Sequence, residues 1–115
     1  MELIAFLGKE KETLPQVLGL IKKGDWEKVI LVGNNSPDIS SRREFDFIAI
    51  DSDDRLLDMR DDIKRKMQGK IRGTEVALSI ASGNGKEHMA LVSALLSLPV
   101  GIRFVALTKD GVIEL

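Results

Sequence analysis

Five short apolar-rich runs, each stopped by glycine or by a cluster of polar turn residues, constrain this 115-residue chain more than any other feature. Leu3 to Leu7 stops at Gly8, Val29 to Val32 at Gly33-Asn34-Asn35, and Phe45 to Asp51 runs into Ser52-Asp53-Asp54. Glu75 to Ala81 ends at Ser82-Gly83-Asn84-Gly85, and Ile102 to Leu107 precedes Thr108-Lys109. Near-continuous apolarity, rather than alternation, predicts strands covered on both faces, which is the condition of a parallel sheet.

The segments between the runs carry helical spacing. Leu14, Val17, Leu18 and Ile21 recur on one face, with Thr13 as a candidate cap, Pro15 in the first turn and Gly24 as terminator after Lys22 and Lys23. From Asp53 to Gln68, Leu56, Met59, Ile63 and Met67 share a face, with acids in the first half and bases in the second. That order complements the helix dipole; Ser52 or Asp53 is placed to cap, and Asp61–Arg65 and Asp62–Lys66 form i,i+4 pairs. Lys86 to Leu98 is apolar almost all round, which predicts a helix buried on more than one side. Its small residues Ala90, Ser93, Ala94 and Ser97 permit close approach, to the chain's own sheet over most of that face or to a second subunit. Ser36-Pro37 can start one short helical turn, in a connection short for a parallel crossover. Lys109-Asp110-Gly111 predicts a hairpin into Val112 to Leu115, an antiparallel edge strand.

Strands alternating with helices define one α/β domain over residues 1–115, a three-layer Rossmann-like fold with a mainly parallel sheet and a C-terminal antiparallel hairpin. A strand order of 3-2-1-4-5 would make the loops after the first and fourth strands neighbours, and such sheets bind ligands where the order reverses.

Composition narrows the chemistry. There is no cysteine, so disulfides, thiolate catalysis and cysteine-ligated metals are excluded, and a single histidine excludes histidine-rich metal sites. Seventeen Lys and Arg against eighteen Asp and Glu leave a formal charge of −1, so no global field draws the chain to duplex nucleic acid. No run approaches a membrane span, and Met1-Glu2-Leu3 lacks the basic start of a secretory leader, so a cytoplasmic protein is expected. Abundant Lys, Glu, Arg and Asp without Cys or Tyr suits a hot habitat.

The loops at the carboxyl edge are Gly8-Lys9-Glu10, Gly33-Asn34-Asn35-Ser36, Asp51-Ser52-Asp53-Asp54, Ser82-Gly83-Asn84-Gly85-Lys86 and Thr108-Lys109-Asp110. The fourth is the most informative: two glycines let the backbone approach a ligand, while helix N–H groups and Lys86 supply positive potential for a phosphate. An ordinary strand-to-helix turn explains the same glycines by geometry alone. Glu87 after the lysine rules out a Walker A loop, and His88 at the third glycine position rules out the dinucleotide fingerprint, so no ATP or NAD cofactor is expected. Asp51 and Lys109 hold the positions of a phosphoreceiver's aspartate and lysine, but Gly8-Lys9 replaces its acidic pair, and capping accounts for the Asp51–Asp54 cluster. His88 beside that loop is a candidate general acid-base group or a packed side chain. Trp26 and Phe6, Phe45, Phe47 and Phe104 read as packing residues, and Arg42-Arg43 as solvated surface. No metal site is expected.

The segment Leu78-Ser79-Ile80-Ala81-Ser82-Gly83-Asn84-Gly85-Lys86-Glu87-His88-Met89-Ala90 resembles the second conserved motif of CRISPR-associated Rossmann-fold (CARF) domains, in which an apolar strand ends in a Gly-Gly-Thr-Lys or Gly-Asn-Lys type loop and enters a buried helix. The element order over nearly the whole chain is similar too. The resemblance implies a small stand-alone domain, archaeal and thermophilic in character, that binds cyclic oligoadenylate across a homodimer in CRISPR-linked antiviral signalling. Some such domains also cleave that ligand as metal-independent ring nucleases, and Lys86 is then the candidate catalytic residue. Ligand-binding residues implied are Gly83, Asn84, Gly85 and Lys86, faced by Gly8 and Lys9, with Ser82 and Asn34 on the same edge. Asn84-Gly85 departs from members whose loop passes directly to lysine, and the length leaves no room for the usual effector. The readings beside it are a dimeric structural or protein-interaction module with no nucleotide, and a receiver-like regulator.

Overall fold

The computed structural model describes residues 1–37 and 44–115. Six strands, β1 (Glu2–Leu7), β2 (Val29–Gly33), β3 (Asp46–Ala49), β4 (Glu75–Ser79), β5 (Gly101–Thr108) and β6 (Gly111–Glu114), form one sheet in the order β3-β2-β1-β4-β5-β6. The first five run parallel, and β6 returns antiparallel along β5. The architecture is therefore Rossmann-like α/β with a terminal hairpin. Even the short connection over residues 34–45 joins parallel strands, Ile30 standing opposite Asp46.

Helix α1 (Leu14–Lys23) covers one face of the sheet, and α2 (Leu56–Met67) and α3 (Gly85–Leu96) the other. The reason is visible in β1, where every residue is buried. Leu3, Ala5 and Leu7 meet Val17, Leu20 and Ile21 of α1, while Ile4 and Phe6 belong to the cluster of Met59, Ile63, Leu91 and Leu95 on the opposite face. Each such aliphatic side chain contributes roughly 1.5–3 kcal/mol by leaving water, so the central strand is secured from both sides. Trp26 is buried beneath α1, and its indole Nε1 donates to the Leu20 carbonyl at 2.7 Å, closing the end of that helix.

Several local expectations are corrected. Thr13 ends a 3₁₀ turn (Lys11–Thr13) and stands at the N-cap of α1, but its hydroxyl makes no capping bond because it is committed across the molecule. Ser52 and Asp53 do not cap α2, which begins at Leu56 behind Arg55; the Asp53 and Asp54 N–H groups are taken by the Asp51 side chain and carbonyl in a preceding turn. On α2 the Asp62–Lys66 pair forms at 3.0 Å, but Arg65 also turns to Asp62, and Asp61 pairs with its neighbour Arg60. Helix α3 is not covered all round: Ala90 and Ala94 are fully buried within the chain, whereas Met89 and Leu96 face solvent. Arg42-Arg43 and most of the segment after Ser36-Pro37 lie outside the described residues. Among those described, no helix is long and apolar enough to cross a membrane.

Candidate functional site

The reversal of strand order between β1 and β4 brings the Gly8 loop against the Ser82–Lys86 loop. Their junction is dense. Gly8 N–H donates to the Ser82 hydroxyl at 2.7 Å, and the hydroxyls of Ser82 and Thr13 lie 2.7 Å apart, with Thr13 Oγ1 also 3.0 Å from the Glu10 carbonyl. Ser82 is 1% exposed, so these bonds satisfy a polar group that burial would otherwise leave stranded.

The glycines here divide into two kinds. A Cβ on Gly8 would stand 2.6 Å from the Gly83 nitrogen, and Gly83 has a φ of +105° with a Cβ position 2.8 Å from Phe6. Gly8 is glycine because its loop touches the backbone of Gly83, and Gly83 because its backbone is left-handed and the Phe6 and His88 side chains fill its Cβ position. Gly85 meets neither condition: its φ is not positive and nothing lies within 4 Å of its Cβ position. Space above the first turn of α3 is open at that residue.

The start of α3 is itself a closed network. Asn84 accepts from Glu87 N–H at 2.9 Å, and Glu87 Oε1 accepts from Asn84 N–H at 2.9 Å, a reciprocal capping box. Glu87, only 3% exposed, also accepts from the Ser52 hydroxyl at 2.7 Å through its second oxygen. Asn34 completes the relay, its side-chain carbonyl accepting from Ser52 N–H at 2.9 Å and its amide donating to the Ser52 hydroxyl. Lys86 Nζ donates to the carbonyls of Ser52 at 2.7 Å and Asp54 at 2.9 Å. His88 Nε2 lies 2.7 Å from the Ser82 carbonyl, with its ring edge-on to Phe6.

The expected ligand residues thus fall into three groups. Gly8, Ser82 and Gly83 are brought together and seal the crevice between the loops. Asn34, Asn84 and Lys86 tie the loops after β2, β3 and β4 into one rigid edge. Lys9 and Gly85 remain on its rim, Lys9 exposed. As residues of the first helical turn, Gly85 and Lys86 have backbone N–H groups with no intrahelical acceptor, and the α3 dipole adds positive potential there. The buried Glu87 carboxylate offsets part of that potential. An anion would therefore rest on the rim, not between the loops.

Two residues that organise this edge, Ser52 and Glu87, were not expected in that role, Ser52 being read as a helix cap and Glu87 only as a departure from a Walker A loop. Asn84-x-x-Glu87 is a capping pattern that marks Glu87 in the sequence, but nothing local to Ser52 announces its partner. Asp51 accepts from Asp53 N–H, Thr108 donates to the Gly111 carbonyl in the hairpin at 3.1 Å, and Lys109 is exposed. Among the described residues, no three of His, Asp and Glu gather as metal ligands would. Comparison with protein-family models and with curated proteins finds no match to the chain.

Proposed function

We propose that the rim formed by Lys9 and by the backbone N–H groups of Gly85 and Lys86 binds the phosphates of a nucleotide second messenger of the cyclic oligoadenylate class, in CRISPR-linked signalling. One observation carries the reading: Gly85 has no steric or conformational need to be glycine, and it opens the first turn of α3 beside the point where the strand order reverses. Glycine there leaves backbone donors bare to a ligand at the expense of helix propensity. The CARF resemblance supplies the ligand class. The reading stops at binding, because His88 Nε2 and Lys86 Nζ are engaged with backbone carbonyls.

Calorimetric titration with cyclic tetra- and hexa-adenylate, with linear oligoadenylate and ATP as controls, tests it. Saturable heat with a ring, and recovery of the ring intact, is the expected outcome. Gly85→Asp is the sharpest variant: an acid is favoured in a first helical turn, so the fold should persist while an anion is repelled. Lys86→Ala is less clean, since it also strands two carbonyls. No heat from any ring rejects the proposal.

A second reading, a structural or interaction module without nucleotide, is favoured by the internal engagement of Ser82, Asn34, Lys86 and Glu87. Absence of heat from all four ligands is its expected result.

A further inference from the structure

The strand that the first apolar run announces from Leu3 begins one residue earlier, at Glu2, whose carboxylate-bearing side chain lies in a residue only 3% exposed. Leu3 and Val29 belong to the core beneath α1. Alternation therefore turns Glu2 and its register neighbour Lys28 toward the α2–α3 side, at the amino edge of the sheet. There the two charges secure the connection between α2 and β4. Glu2 Oε1 accepts from the N–H groups of Arg72 at 2.8 Å and Gly73 at 2.9 Å, while Lys28 Nζ donates to the Lys70 carbonyl at 2.8 Å. Lys28 pairs with Asp46 at 3.1 Å and not with Glu2. Glu2 Oε2 is left as the one buried side-chain polar atom without a partner among the described residues.

A buried carboxylate oxygen with no donor is costly, and native folds satisfy such an atom with protein or with ordered water. The surroundings select which. The two backbone N–H groups of the connection are spent on Oε1, and no side chain reaches Oε2. A proton on Oε2 solves nothing, since no acceptor lies within reach of it either. A divalent cation needs several oxygens around it, yet among the described residues no three of His, Asp and Glu gather, and the Lys28 ammonium beside Glu2 in register already supplies positive charge. A small neutral donor is what remains. Lys28 Nζ has three N–H groups and two are used, so a molecule between it and Oε2 finds one donor and one acceptor. We propose that the amino edge of β1 binds a single buried water, which accepts from Lys28 Nζ, donates to Glu2 Oε2 and completes the clasp on residues 70–73.

High-resolution crystal structures of the full chain test this. A density peak about 2.7–3.0 Å from both Glu2 Oε2 and Lys28 Nζ is expected. Lys28→Met keeps the aliphatic stem and deletes the donor, so the peak should disappear. In solution, oxygen-17 magnetic relaxation dispersion counts long-lived waters: Glu2→Gln, which keeps an acceptor for Arg72 and Gly73 and a polar head for the water, should match the natural chain, and Glu2→Leu should hold one fewer. If Glu2→Leu fails to fold, the natural chain, Glu2→Gln and Lys28→Met still decide. Lys28 Nζ bonded straight to Oε2 overturns the proposal, as does a peak that Lys28→Met leaves in place or an anomalous signal at the site in crystals grown with rubidium chloride. The ligand rim lies at the opposite edge of the sheet, so calorimetry there and density here fail independently.

Discussion

Helices α2 and α3 lie side by side in one layer and have twelve residues each, yet they meet solvent in opposite ways. Seven residues of α2 are charged: Asp58, Arg60, Asp61, Asp62, Lys64, Arg65 and Lys66. After Glu87, α3 has none. Their first turns differ as well, since α2 begins without a side-chain cap and α3 with a capping box whose glutamate is buried. Their inner faces are alike, with Met59, Ile63 and Met67 on one and Leu91 and Leu95 on the other in a single core. Inner composition follows the sheet that both helices cover. Outer composition differs, charged and ion-paired on α2 and apolar on α3, where Met89 and Leu96 are exposed.

The largest expected effects test the shared inner face. Met59→Ala and Leu91→Ala should each lower stability by about 2–5 kcal/mol in urea unfolding, because both side chains are fully buried. A small loss at one and a large loss at the other would mean that the two helices do not share one cooperative core.

Next come the first turns. Glu87→Ala removes the capping box and a buried acceptor of the Ser52 hydroxyl, so a loss of about 2–4 kcal/mol is expected. Asp58→Ala, in the exposed first turn of α2, should change stability by less than about 0.5 kcal/mol. Equal losses in urea midpoints would erase the contrast between the two helix starts. Within the α3 loop the two glycines should respond with opposite sign. Gly83→Ala should lose about 1–3 kcal/mol through its left-handed backbone and its approach to Phe6. Gly85→Ala should gain up to about 1 kcal/mol of helix propensity, and loss there on thermal unfolding would remove the basis for reading Gly85 as a ligand-facing residue.

This contrast also shows what the sequence made legible. The apolar runs from Leu3, Val29 and Glu75 are strands because burial on both faces leaves a local mark, and the order 3-2-1-4-5, posited as one order open to such an alternation, is the one the sheet has. Gly83 was legible as special backbone and Gly8 as a strand stop, but the reason for Gly8, its contact with the Gly83 backbone, is a property of two loops 75 positions apart. Lys86 was legible as a positive charge at a helix start, whereas its engagement with the Ser52 and Asp54 carbonyls depends on where α2 begins. Periodicity could not mark that start, because the acids near Asp53 suit a turn as well as a first helical turn. For α3, all-round apolarity was read as burial on more than one side, against the chain's own sheet or a second subunit. The same pattern describes a helix with one face open to solvent, and only the placement of Met89 and Leu96 separates the two.

The smallest expected effect concerns the charged face of the hairpin, which contrasts with the uncharged face behind it. Arg103 donates to Glu75 at 2.7 Å and to Glu114 at 2.9 Å, joining β4, β5 and β6 across their exposed surface. The hydrogen bond from Arg103, and then its charge, hold the Glu75 carboxyl below its ordinary value. A carboxyl depressed in the folded state stabilises the fold at pH values above its unfolded range, and that contribution disappears as pH falls through the folded value. Glu75→Gln should therefore lower stability slightly near neutrality, by little because the pair is solvent-screened, and the two proteins should converge in acid, which flattens the acid limb. Urea midpoints of the two proteins from neutral to acid pH provide the check. Curves that stay parallel through the acid range would show that the charged face merely decorates the hairpin, and that the register of β6 rests on its backbone bonds and on Val112 packed beneath α1.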